Sequence, residues 1–177
     1  MPAQLAGGSN MKETNYLIEN EKIIEEIKKI PVFGPFNEEE LHTLLHMSKL
    51  RVYKAGEDII KESEIDSWIY FLIYGKVVIS KEGKEITQIK RRGDIFGEMR
   101  FIDSAPRSAS ASAAADTVCL AIDAEHIENL TGDNKIAFGY ILYRIFSEIL
   151  AERLRIMNKE LIRVKGKNAE KVWERLT

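Results

Sequence analysis

From Leu50 to Ile122 the apolar residues come in short runs, each ended by a glycine or by charged residues, and this rhythm excludes most folds. Gly56, Gly75, Gly83 and Gly93 punctuate the stretch, and Glu82-Gly83-Lys84 has the make-up of a hairpin tip. The pattern predicts strands near 50–53, 57–61, 68–74, 76–80, 85–90, 108–114 and 117–122. Strands so short, joined by turns, must bury their apolar faces against one another. The expected class is α+β: a β-sandwich or jelly-roll barrel with flanking N-terminal helices and a long C-terminal helix. The longest apolar run, 68–74, has the length of a buried strand. A membrane helix needs about 20 such residues, so no membrane span is expected.

Helical patterns flank the strands. Ile23, Ile24, Ile27 and Ile30 form one stripe over residues 15–30, and Pro31 ends it. Asn37 and Glu40 have the spacing of a capping box, ahead of the apolar face Leu41, Leu44 and Leu45. Asp123 is a suitable N-cap for a helix over 124–130. A long helix then starts near Asp133, with Leu142, Ile145, Phe146, Ile149, Leu150, Leu154, Met157, Leu161 and Val164 at three- and four-residue spacing. Its outer part has the seam spacing of paired helices, which predicts a homodimer with the same helix of a second copy. A helix packed wholly on its own strands is the alternative. Residues 1–10 have the make-up of a flexible tail or an expression scar, 11–165 that of one domain, and 166–177 that of a short helical tail after Gly166.

Charge and cysteine usage narrow the function. The net charge is −2, which gives no general affinity for nucleic acid. The basic residues from Arg153 to Arg175 alternate with Glu152, Glu160, Glu170 and Glu174, as on a solvated helix. Cys119 is the sole cysteine and sits in a strand pattern, so it is expected to be buried and inert. No secretory signal is visible, and a cytoplasmic location is the default. His42 and His46 have a helical spacing compatible with a metal, but no further ligand lies near them in sequence. They read as ordinary surface and half-buried histidines. A metal enzyme of cupin type needs a ligand cluster on strands, whereas His42, His46 and His126 all fall in helical patterns. No nucleophile elbow, dinucleotide fingerprint or P-loop is present, so neither an enzyme nor a catalytic cofactor is expected.

The residues richest in chemistry are Phe96-Gly97-Glu98-Met99 and Pro106-Arg107-Ser108-Ala109. Arg107 offers a planar guanidinium that can bond two phosphate oxygens. Ser108 adds a hydroxyl and an N–H, and Gly97 lets the backbone approach closely. Glu98 accepts hydrogen bonds, so it suits a hydroxyl. A helical turn over 98–102 would add N–H groups aimed at an anion. Together these suit a small anion with a hydroxyl beside its phosphate; the bland reading is an exposed Arg–Glu pair.

These residues, with Phe101-Ile102-Asp103, Ser110-Ala111 and Ala113, resemble the phosphate-binding cassette of the cyclic nucleotide-binding domain family. The resemblance implies that Arg107 binds the cyclic phosphate and Glu98 the ribose 2′-hydroxyl. It places Arg153, Met157 and Asn158 where the family's long helix approaches the base. Ser108, following the arginine, points to cyclic AMP as ligand, with cyclic GMP the alternative. Arg100 stands where the family usually has a small residue, and Ser63 where a glycine is common in the preceding turn. The family's transcription factors carry a helix-turn-helix after the long helix, and residues 166–177 are too few for one, so no direct DNA binding is expected. The expected function is a cyclic nucleotide sensor that couples binding to movement of its C-terminal helix. The alternative is a degenerate domain of the same fold, used for dimerisation or partner binding without ligand.

Overall fold

The structure, a computed structural model, describes residues 11–14 and 21–176; residues 1–10 and the start of the helix expected over 15–30 lie outside the described residues. Strands β1 (Lys12–Glu13), β2 (Ser48–Tyr53), β9 (Thr117–Asp123), β4 (Trp68–Tyr74) and β7 (Ile95–Phe96) form one antiparallel sheet in that order. Strands β3 (Asp58–Ile60), β8 (Ser110–Ala113), β5 (Val77–Lys81) and β6 (Lys84–Ile89) form the other. The seven expected strands are all present within a few residues of their expected limits, as a sandwich of two sheets that do not close into a barrel. β1 and β7 were not anticipated, because two residues are too few to show an alternation.

The inner faces meet in one apolar cluster. Tyr53, Tyr70, Leu72, Phe96, Cys119 and Ala121 come from the first sheet, and Ile60, Val77, Ile89, Ala111 and Ala113 from the second. Strand register explains how long side chains fit there. Cys119 of the central strand β9 lies between Arg51 and Leu72, and Ala121 between Lys49 and Tyr70. These small residues leave room for the flanking side chains to reach across the sheet. Cys119 is buried, as expected, and burial pushes its thiol up to about 12, with Arg51 opposing in part. The other face of β4 carries the buried Ile69 and Phe71, and Phe33 packs on Phe71 with ring centroids 4.9 Å apart.

Helices α1 (Glu21–Lys28), α2 (Glu38–His46), α3 (Met99–Asp103), α4 (Ala124–Glu128) and α5 (Gly132–Leu176) complete the chain. Both halves of the capping box are formed: Glu40 N–H donates to Asn37 Oδ1 at 2.9 Å and Asn37 N–H to Glu40 Oε2 at 2.8 Å. Asp123 caps α4 through the Glu125 N–H at 3.0 Å. The helix α5 runs on past Gly166 to Leu176, where the sequence reading placed a separate tail. One glycine costs about 1 kcal/mol inside a helix, too little to stop one this long. The chain divides into two compact units after Gly139. On the second unit Leu154, Met157, Leu161 and Val164 are exposed in the single chain.

The chain passes between the sheets at Gly75, after β4, and at 114–116, before β9. These crossings touch. Gly75 has φ +98°, and a Cβ there would lie 2.5 Å from the Asp116 carbonyl oxygen and 2.6 Å from Thr117 Oγ1. Gly75→Ala is expected to lower stability by about 1–3 kcal/mol, from backbone strain and this overlap. Urea denaturation checks this; an unchanged midpoint would show that the two crossings tolerate separation.

Candidate functional site

β7 delivers Phe96, whose ring stacks on Tyr70 of β4 with centroids 5.1 Å apart. Gly97 turns the chain at φ +79°, and a Cβ there would lie 2.8 Å from Arg107 Nη1 and 3.1 Å from the Trp68 carbonyl oxygen. Glycine is therefore required both for the conformation and for the close approach. Glu98, 2% exposed, is the N-cap of α3, and its carbonyl accepts the Phe101 N–H at 3.0 Å. The helical turn expected over 98–102 is thus present as α3. The loop after α3 returns to Arg107, whose backbone pairs with the 61–66 turn. Arg107 N–H donates to Glu64 O at 2.9 Å, and Ser63 N–H donates to Arg107 O at 2.9 Å. Ser63 has φ +67°, the left-handed conformation that suits glycine.

The Arg107 guanidinium is the centre of the site, with the residue only 5% exposed. Nε–H donates to Asp66 Oδ2 at 2.8 Å, Nη1–H to Gly97 O at 2.7 Å, and Nη2–H to both Asp66 Oδ1 and Trp68 O. These bonds use four of the five N–H groups that arginine carries, leaving one on Nη1. The two-pronged edge that the sequence reading gave to phosphate is taken up by Asp66. Asp66 was missed in the sequence. Its one local signal is its place two residues before the strand-opening Trp68, where its Oδ1 accepts the Trp68 N–H at 2.9 Å as an Asx turn does.

The rim is more open. Met99, Pro106 and Ser108 are exposed, while Arg100 and Ala109 are half-buried. Ser108 Oγ lies 3.6 Å from Met99 Sδ, and Lys81 Nζ donates to the Ser108 carbonyl at 3.0 Å. The structure thus brings Phe96, Gly97, Glu98 and Met99 together with Pro106, Arg107, Ser108 and Ala109. Arg153, Met157 and Asn158 belong to the second unit, on α5, where Arg153 is half-buried and the other two are exposed. His42 and His46 face each other on α2 with Nε2 atoms 3.3 Å apart. Burial and the neighbouring His42 both lower the pKa of His46. Among the described residues no group of three or more His, Cys, Asp or Glu could hold a metal, and no helix is long and apolar enough to cross a membrane.

A second buried cation lies behind the site. Arg51, 8% exposed, donates from Nε to Glu13 Oε2 at 2.5 Å and from Nη1 to Tyr70 Oη at 2.9 Å. Its guanidinium carbon lies 3.7 Å from the centroid of the Trp68 ring. Lys49 Nζ reaches the other Glu13 oxygen at 2.7 Å. Burial pushes the Glu13 carboxyl up, but the hydrogen bonds from Lys49 and Arg51 outweigh it and hold it below the usual carboxylate range.

Two expectations follow from these ion pairs. Asp66→Ala leaves a buried guanidinium without its carboxylate and should cost about 1–3 kcal/mol in urea denaturation. No change would mean that Asp66 does not hold Arg107. The Glu13 carboxyl has a lower pKa folded than unfolded. Its contribution is therefore complete above the ordinary carboxylate pKa and is lost as pH falls through the lower folded value. Glu13→Gln should be less stable than the parent at neutral pH, with the gap closing in strong acid. A gap independent of pH would contradict the pairing.

With this geometry in hand, comparison with known proteins gives a consistent result. Residues 50–134 match the sequence model of the cyclic nucleotide-binding domain. The chain is 28% identical over 137 residues to a cGMP-dependent protein kinase of Toxoplasma gondii, covering 77% of this chain and 13% of the kinase. It is 32% identical over 95 residues to a cAMP-dependent protein kinase regulatory subunit of Debaryomyces hansenii, covering 54% of this chain and 21% of that subunit. The chain therefore spans a small part of these relatives. The catabolite activator protein of Thermus thermophilus superposes with a TM-score of 0.58 at 27% identity, over 76% of this chain and 63% of that one. The match over residues 50–134, together with the two-sheet fold of this chain, identifies a cyclic nucleotide-binding domain within it.

Proposed function

We propose that this chain is a non-enzymatic cyclic nucleotide sensor, with cyclic AMP as its preferred ligand, and that residues 11–165 act as one functional domain. The observation that carries the reading is the state of Arg107. It is buried and fixed by four hydrogen bonds, with one N–H left on Nη1, the nitrogen that lies against Gly97. A cation so held is preorganised for a single anionic oxygen and loses little freedom on binding. In this reading the phosphate takes that N–H together with groups of the 97–109 loop, and Glu98 takes the ribose 2′-hydroxyl. The family resemblance makes Arg153, Met157 and Asn158 the candidates for base contacts, from this chain or from a second copy.

The output in this reading is a change in α5, starting near Asp133. A ligand can drive it only by binding one helix arrangement more tightly than the other. The exposed Leu154, Met157, Leu161 and Val164 support pairing of α5 with a second copy. The absence of a membrane-length apolar helix among the described residues agrees with a cytoplasmic setting. The competing reading, a domain of the same fold that binds partners without nucleotide, draws on the half-buried Arg100 beside the cassette.

Calorimetric titration separates the two readings. The parent should bind cyclic AMP, and no heat with either cyclic AMP or cyclic GMP would favour the ligand-free domain. Arg107→Ala should weaken binding by about 2–5 kcal/mol, well over tenfold. Arg107→Lys should fail as well, because an ammonium cannot satisfy Asp66, two carbonyls and a phosphate from one point. Wild-type affinity in Arg107→Ala would remove the phosphate assignment. Serine at position 108 predicts tighter binding of cyclic AMP than of cyclic GMP, and a reversed order would refute that preference. Replacing Leu154 and Leu161 together with glutamate should convert dimers to monomers by light scattering. A parent already monomeric at tens of micromolar would end the pairing claim.

A further inference from the structure

Both backbone carbonyls that receive Arg107 sit at the ends of side-chain contacts that begin at Arg51. The first runs through Trp68: the Arg51 guanidinium carbon sits over its ring, 3.7 Å from the centroid, and the Trp68 carbonyl accepts Arg107 Nη2–H. The second runs through Tyr70: Arg51 donates to its hydroxyl at 2.9 Å, its ring stacks on Phe96, and the next residue, Gly97, accepts Arg107 Nη1–H at 2.7 Å. Arg51 is in turn fixed by Glu13 on the edge strand β1.

We propose that Arg51 is a positioning residue for the phosphate-binding guanidinium, and that Glu13 of the edge strand sets it, so that the N-terminal strand tunes nucleotide affinity. The proposal rests on the cyclic nucleotide reading above.

Physical chemistry gives a reason to look beyond stability. A cation inside a sandwich is seldom there to stabilise it, since apolar residues of similar size usually serve as well or better. Here Met at position 51 would have an apolar bed in Trp68, Tyr70 and Leu72, and Glu13 would keep Lys49 as partner. The arrangement does what methionine cannot: a flat guanidinium fixes the plane of Trp68 and the hydroxyl of Tyr70 at once. Those two side chains belong to β4, which lies between β9 and β7, and β7 leads directly into Gly97. A shift of either ring moves a carbonyl that holds Arg107. β1 and β7 are both two-residue edge strands, but β7 is buried and β1 is exposed, so β1 is the element of this sheet most easily displaced.

The test uses the full chain and three variants: Arg51→Met, Arg51→Lys and Glu13→Gln. Three readouts are taken: the urea midpoint, the Arg107 Nε–H resonance without ligand, and cyclic AMP affinity by calorimetry. Arg51→Met should keep the parent's urea midpoint, shift the Arg107 resonance and bind cyclic AMP about tenfold more weakly. Arg51→Lys should not restore binding, because an ammonium is a point charge without the guanidinium's plane. Glu13→Gln should act in the same direction by a smaller factor, and it decides the matter if Arg51→Met proves unstable. An Arg107 resonance unmoved in the folded variants overturns the relay. A moved resonance with unchanged affinity overturns the positioning role. If the parent binds no cyclic nucleotide, the functional reading fails by itself, and the resonance alone then supports or overturns the relay.

Discussion

A buried guanidinium between one carboxylate and two carbonyls organises this molecule. Arg107 is removed from water, and a charge so placed is tolerable only if nearly all its hydrogen-bonding capacity is met. Asp66 supplies the countercharge, while Gly97 and Trp68 supply carbonyls. Each partner comes from a different part of the chain: the 61–66 turn, the end of β7 and the start of β4. Many features that look local serve this junction. Gly97 has no side chain because Arg107 occupies that space, and Ser63 adopts a left-handed conformation where the backbone pairs with Arg107. The pairing also limits what the arginine can do for a ligand. It is a fixed, partly neutralised cation with one direction still open, unlike a mobile two-pronged clamp.

The interior of the sandwich is built to accommodate such groups. Cys119 and Ala121 on the central strand are too small to fill the space between their neighbours, and Arg51 and Tyr70 extend into it. The result is an apolar cluster with a charged and hydroxylated margin beside the cassette. Apolar burial supplies most of the driving force, at roughly 25 cal/mol per Å². The polar margin contributes orientation more than stability.

Sequence reading recovered what depends on local pattern. The strand read from the unbroken apolar run 68–74 is borne out to the residue, and the Asn37–Glu40 spacing reports a real capping box. The segments 96–99 and 106–109 stood out because their residue types and spacing resemble a known motif, and the structure brings them together through the Arg107–Gly97 contact, ten residues apart in the chain. What escaped depends on distance in sequence. Asp66 is forty-one residues from Arg107, and nothing near it announces that it will face a guanidinium. Arg51 falls in a strand pattern where an arginine ordinarily points to solvent; the pleat puts it on the inner face with Tyr53, and the small Cys119 beside it leaves it room. β1 and β7 are too short to leave a period. Gly166 was read as a stop, but the cost of one glycine is small against the helix around it.

In the proposed function Arg107 receives the cyclic phosphate without giving up Asp66. A crystal structure of this chain grown with cyclic AMP tests it most directly. The account predicts an exocyclic phosphate oxygen within hydrogen-bond distance of Arg107 Nη1, with the Asp66 pair and both carbonyl contacts intact and the 2′-hydroxyl on Glu98. A nucleotide bound away from the 97–109 loop, or an Arg107 swung off Asp66 to grip the phosphate with two nitrogens, would contradict it.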